Sequence, residues 1–170
     1  CIGKISYEVD ISFYESFRDK DIKNALQIDI NFCQENESFS KKNVFRGLHY
    51  QKNPLAQSKL VRVVQGEVID IIVDMRKNSN TFLQSESFNL SAKNKKQLFI
   101  PQGFAHGFLT LSNTAIFSYK VDNYYSQEHD RGINIFDPQL KIELPIEKNL
   151  ILMSEKDSKL PFINSGFEFF

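Results

Sequence analysis

Apolar and polar positions along this chain recur mostly at a spacing of two, in short stretches rich in Val, Ile, Phe and Tyr, which is the periodicity of half-buried strands. Residues 59–64 and 67–75 flank Gln65-Gly66 with β-branched side chains on both sides, and that spacing predicts a strand, a tight turn and a strand, that is, a hairpin. Further strands are predicted at residues 44–50, 85–90, 97–100, 107–111 and 115–121, separated by clusters of Asn, Ser, Lys and Gly. In the last of these Ala115, Phe117, Tyr119 and Val121 share one face. A short helix is expected within residues 13–26, and the Lys- and Glu-rich tail from Glu147 reads as loop with one helical turn. Short strands at regular spacing predict an all-β sandwich or barrel, and with no internal repeat, low-complexity linker or second composition the expectation is a single domain over residues 1–170.

Composition narrows the function classes. At 170 residues and 41% hydrophobic, the chain can bury a core without covalent staples. Acidic and basic side chains number 21 each, so no overall charge draws it to nucleic acid or an anionic membrane, and an anionic ligand must be held by local groups. Cys1 and Cys33 are too few for a disulfide framework, and no apolar run approaches the roughly 20 residues of a membrane span, so the cytoplasm is the expected compartment. The start at Cys1 rather than Met reads as a missing beginning, with a first strand left incomplete.

The chain has three histidines, and two of them, His49 in Arg46-Gly47-Leu48-His49-Tyr50-Gln51 and His106 in Gly103-Phe104-Ala105-His106-Gly107-Phe108, sit in Gly-containing apolar contexts. His129 lies in a charged run that reads as solvated loop. A zinc or iron site needs at least three placed ligands, and Tyr50-Gln51 follows His49 where a second His would be wanted, so no metal is expected. A neutral His is instead a natural general base, given a carboxylate to orient it, and Asp157 is a candidate for that carboxylate. Each residue also has a plainer reading. His49 and His106 are either chemical groups or core histidines bonded to carbonyls; Lys59, opening an apolar strand, is either paired with an anion or exposed at a strand end; Tyr119 is either an acid or a core phenol.

Taken in order, Phe32-Cys33-Gln34-Glu35-Asn36, the segment from Asn43 to Gln51, Lys59-Leu60-Val61-Arg62-Val63, the segment from Ile100 to Phe108, Tyr119-Lys120 with Tyr124-Tyr125-Ser126, and Ser154-Glu155-Lys156-Asp157 resemble the dTDP-4-dehydrorhamnose 3,5-epimerase family, from about Phe13 to Pro161. The resemblance implies a cupin-like jelly roll with short peripheral helices, a homodimer, and epimerisation of a dTDP-4-keto-6-deoxyhexose at C3 and C5 without metal or other cofactor. It implies His49 as base, Asp157 as its partner, Lys59 as the enolate's counter-charge and Tyr119 as the acid of the opposite face. Arg46 would then hold the diphosphate, Gln34, Asn36 and Glu15 would lie near the nucleotide, Tyr125 would stack on the base, and His106, Asp130 and Lys156 would line the sugar end. Related readings are epimerisation at one carbon only, another nucleotide-linked 4-keto sugar, or a non-catalytic sugar-nucleotide-binding cupin.

Two points stand against a simple transfer. Asp10 takes the place of an arginine that the family's pattern expects on the partner subunit's diphosphate, which leaves that contact to Lys4 or Arg18, or points to a different nucleotide sugar. Arg46 and His49, three apart, would face opposite sides of a regular strand, so either Gly47 hosts a bulge or twist, or Arg46 reaches around a sheet edge.

Overall fold

Strand alternation decides the architecture. The computed structural model describes residues 13–170, so the expected first strand, Lys4 and Asp10 lie outside the described residues. Nine strands among those residues form two antiparallel sheets. One sheet has, in order, β1 (Gln34–Lys41), β8 (Thr114–Val121), β3 (Lys59–Gln65) and β6 (Gln97–Ile100). The other has β5 (Ser85–Ser91), β4 (Glu67–Asp74), β7 (Phe104–Thr110), β2 (Phe45–Gln51) and β9 (Asp130–Gly132). Successive strands mostly switch sheets, which is the jelly-roll winding expected of the chain. Helix α1 (Asp19–Leu26) precedes the strands and a single turn, α2 (Glu155–Ser158), follows them.

The hairpin expected around Gly66 is corrected by this topology. β3 pairs with β6 and β8, whereas β4 pairs with β5 and β7, so the chain crosses from one sheet to the other at Gly66. Gly66 has φ 81°, and a register shift between Val63 and Gln65 turns the strand before it. A jelly-roll corner and a hairpin turn both ask for a glycine between β-branched runs, so local pattern does not separate them. Two strands escaped the pattern altogether. The interior-facing residues of β1, Gln34, Asn36, Ser38 and Ser40, are all polar, and β9 is three residues long.

Apolar packing lies on both faces of the five-stranded sheet. Between the sheets, Val61, Val63, Val68, Phe108, Ala115 and Phe117 are buried. On the outer face, Phe45, Leu48, Tyr50, Ile71, Val73 and Leu109 are covered by the C-terminal segment, including Leu144, Met153 and Phe167. Strand β4 therefore buries both of its faces, which is why it reads as a nearly continuous apolar run; each fully buried Val, Leu or Ile contributes about 1.5–3 kcal/mol. Among the described residues no helix is long and apolar enough to cross a membrane.

Candidate active site

Three steps along β2 oppose two along β7, because Arg46 pairs with Phe108 and His49 with His106. This bulge settles the difficulty posed by the spacing of Arg46 and His49. Phe45, Leu48 and Tyr50 belong to the outer core, which leaves Arg46 and His49 together on the side facing the other sheet. Gly47 makes the bulge feasible: its φ is 117°, and a Cβ there would stand 2.6 Å from the His106 carbonyl oxygen and 2.7 Å from Gly107 Cα.

His49 is held by a carboxylate. Its Nε2 lies 2.6 Å from Asp157 Oδ1, so in the neutral ring Nε2–H donates to Asp157 and the lone pair resides on Nδ1. Nδ1 has no hydrogen-bond partner among the described residues and sits 4.0 Å from Asp130 Oδ1. Asp157 is fixed in turn by α2, where Ser154 Oγ donates to Asp157 Oδ2 (2.9 Å) and accepts from the Asp157 backbone N–H (3.0 Å). Burial pushes the Asp157 carboxyl up, but the bond from His49, the Ser154 hydroxyl and Lys156 outweigh it and hold the group below the ordinary carboxylate range. Asp157 is therefore charged at neutral pH.

Lys59 opens β3 on the interior side and is buried, its Nζ donating to the His49 carbonyl oxygen at 3.3 Å. Burial lowers its pKa to about 8, with Asp130 and Asp70 working in the opposite direction. The exposed strand-end reading of this lysine is thereby corrected. Tyr119 is on β8, in the facing sheet, packed against Phe117 at a centroid distance of 6.3 Å. Burial raises the phenol, Arg46 opposes that and Asp130 adds to it, so Tyr119 stays protonated at neutral pH.

His106 accompanies Lys59 inside the sandwich. Its Nε2 is 2.9 Å from Asp70 Oδ2 and its ring stacks on Phe117 at 5.9 Å, so the plain reading of a histidine bonded only to a carbonyl does not hold. Asp70 is fully buried, and sequence reasoning missed it. The signal was present, since a carboxylate inside the apolar run of β4 is costly unless a cationic or donating partner waits opposite.

At the open rim, Asp130 Oδ2 accepts from Lys156 Nζ at 2.6 Å and from the Tyr125 hydroxyl at 3.3 Å, and the Tyr125 ring is exposed. Gln34 Nε2 donates to Asn36 Oδ1 at 2.8 Å, and Asn36 lies opposite Tyr119 in the β1–β8 register. Arg46 is exposed and donates to Ser40 Oγ (2.9 Å) and the Phe39 carbonyl (3.0 Å), and its other guanidinium donors have no partner among the described residues. Glu15 does not join this cluster within one chain: it pairs with Arg18 at 2.8 Å, and Arg18 also meets Asp21.

Among the described residues no three His, Cys, Asp or Glu side chains converge as metal ligands. A cavity of about 610 Å³ lies elsewhere, beside α1, lined by Ile22, Ala25, Leu60 and Leu98 among others. It has no His or carboxylate in its lining, and His49, His106, Lys59 and their carboxylate partners lie apart from it. The cleft between the sheets offers a carboxylate-held imidazole with one free nitrogen, a buried ammonium and a neutral phenol from the opposite wall, a set suited to proton transfer at carbons next to a carbonyl.

Comparison with known proteins gives a concordant result. A family model described as dTDP-4-dehydrorhamnose 3,5-epimerase matches residues 11–165. The dTDP-4-dehydrorhamnose 3,5-epimerase of Shigella flexneri is 51% identical over 145 residues, covering 85% of this chain and 79% of that protein. Among solved structures, the dTDP-6-deoxy-D-glucose-3,5-epimerase of Legionella pneumophila Philadelphia 1, in complex with dTDP-4-keto-L-rhamnose, superposes with a TM-score of 0.88 at 44% identity, covering 94% of this chain and 84% of that one. The dTDP-4-dehydrorhamnose 3,5-epimerase of Elizabethkingia anophelis NUHP1 gives 0.87 at 42% identity, covering 94% and 87%. On these grounds the chain belongs to the dTDP-4-dehydrorhamnose 3,5-epimerase family.

Proposed function

We propose that this cleft inverts C3 and C5 of dTDP-4-dehydro-6-deoxyglucose to give dTDP-4-dehydrorhamnose. The observation that carries the reading is the placement of His49 and Tyr119 on facing sheets, both turned inward. Inversion requires a proton removed from one face of a carbon and another delivered to the opposite face, and two walls of a sandwich supply two such groups. His49, with Nε2 held by Asp157, abstracts through Nδ1. The C4 ketone makes both neighbouring carbons acidic, so the electron pair moves to O4, where the Lys59 ammonium and the His106 ring stabilise the enolate. Tyr119 then protonates the other face.

The remaining residues hold the substrate in this reading. Arg46 takes the diphosphate, Gln34 and Asn36 lie toward the nucleotide, Tyr125 stacks on its base, and Asp130 with Lys156 meets the sugar. Nothing in the scheme requires a metal or another cofactor, because the ketone is the electron sink. We further propose that the chain acts as one catalytic domain in a cytoplasmic homodimer, with Glu15 serving the neighbouring site.

Incubation with the dTDP-linked 4-keto-6-deoxyglucose in deuterium oxide tests the reading. Solvent deuterium at both C3 and C5 is expected, with EDTA leaving the rate unchanged. Exchange at one carbon alone would make the protein a mono-epimerase, and binding without exchange would make it a sugar-nucleotide-binding protein.

A further inference from the structure

Two inversions at one site raise a demand that a single inversion does not. After the first, His49 holds a proton taken from the sugar and Tyr119 has lost one to it; the second carbon cannot react until both are reset. We infer that Asp130 is the proton exit of the site, taking the abstracted proton from His49 Nδ1 and releasing it to solvent at the rim. The inference rests on the reading of His49 as the base for both carbons.

Asp130 stands between the buried Nδ1 of His49, whose side chain as a whole is 25% exposed, and the exposed ammonium of Lys156. Its Oδ1 is 4.0 Å from His49 Nδ1, so a shift of about 1 Å brings the two into hydrogen-bond range. Its Oδ2 faces outward, bonded to Lys156 Nζ at 2.6 Å and the Tyr125 hydroxyl at 3.3 Å. The Lys156 side chain is 59% exposed against 12% for Asp130, so this pair opens toward solvent. The other groups around His49 do not serve. Asp157 is on the far ring nitrogen and is engaged by Ser154, and Lys59, as an ammonium, has no lone pair to accept a proton.

The step balances. The Nδ1–H bond of the imidazolium breaks and an O–H bond forms on Asp130, so an ion pair becomes two neutral groups. Water then takes the proton from Asp130, restoring its carboxylate beside the Lys156 ammonium. The Tyr119 phenolate regains a proton from solvent, and the site returns to its starting state with no net change.

The ratio of exchange at the second carbon to exchange at the first, followed in one bound substrate in deuterium oxide, isolates this role. A defect in binding lowers both rates together and leaves the ratio unchanged, whereas a blocked exit lowers the second. Asp130→Asn is expected to reduce the ratio by about tenfold or more, with singly exchanged mono-epimer accumulating, and Asp130→Glu to restore it. An unchanged ratio in Asp130→Asn, whether or not both rates fall, would overturn the exit and leave Asp130 as a sugar contact. His49→Asn, run in parallel, tests the underlying reading separately: loss of both exchanges supports it, and retention of either removes the base assignment and the exit with it.

Discussion

Lys59 brings an ammonium to a place where burial opposes the charge, and its pKa of about 8 makes the group a reporter of its own role. Below that pH it is charged and able to hold an enolate oxygen; as pH rises through about 8 the charge is lost, so kcat is expected to fall on an alkaline limb centred there. Stability should move the other way. In the unfolded chain a lysine titrates near 10.4, so between about 8 and that value the folded state binds fewer protons and stability rises with pH, by on the order of 3 kcal/mol in total. Opposite pH trends in kcat and in denaturation midpoint would identify Lys59 as both buried and catalytic. Lys59→Met should lower kcat by about 10²–10³-fold and abolish the limb, and a limb that persists in that variant belongs to another group. Tyr119→Phe separates acid from base. With the phenol gone, His49 still removes a proton and returns one from solvent on the same face, so deuterium exchange is expected to outlast inversion. Equal loss of both, with folding and ligand binding intact, would take the opposite-face role away from Tyr119.

The bulge in β2 shows how an element, rather than a residue, makes the site. A regular strand would send Arg46 into the outer core whenever His49 faced the cleft; one extra residue at Gly47 keeps both inside. Gly47→Ala places a Cβ against the His106 carbonyl and the Gly107 backbone at a φ that side chains rarely adopt. The expected effect is about 2–4 kcal/mol of stability, seen as a lower urea midpoint, together with at least about tenfold lower kcat as Arg46 and His49 move apart. A variant with normal stability and turnover would show that the bulge tolerates a side chain. The same strand shows what the sequence made legible and what it did not. The spacing of Arg46 and His49 demanded a break in register and Gly47 named its place, and most strands could be read from their alternation. Strand β1 could not, because its interior positions are polar for the sake of the cleft, and the corner at Gly66 looked like a hairpin because both need the same residues. In the site, the His49–Asp157 pair spans 108 residues and was reached through motif order, while Asp70 went unread although its carboxylate stood out in an apolar strand.

On the scale of the whole molecule, β1 is one edge of the four-stranded sheet and carries Gln34 and Asn36 inward and an exposed Phe39 outward. Among the described residues β1 has no strand on its outer side, and an open edge with an exposed aromatic on it is a surface that folded proteins usually cover, a second copy of the chain being one such cover. Glu15 fits that arrangement, because within its own chain it pairs with Arg18 and does not enter the cleft. If the partner's Glu15 completes each site, two defective chains can repair one another. A Glu15→Ala chain keeps His49, and a His49→Asn chain keeps Glu15, so each mixed dimer contains one complete site. Mixing equal amounts after dissociation and reassembly should give half mixed dimers with one working site in two, or about a quarter of the wild-type rate at low substrate concentration. The His49→Asn homodimer contributes none, and the Glu15→Ala homodimer only its weakened binding. Light scattering fixes the dimer independently of activity. A confirmed dimer whose mixture shows only the average of the two parents would mean that Glu15 serves no neighbouring site, and a fully active monomer would remove the shared site altogether.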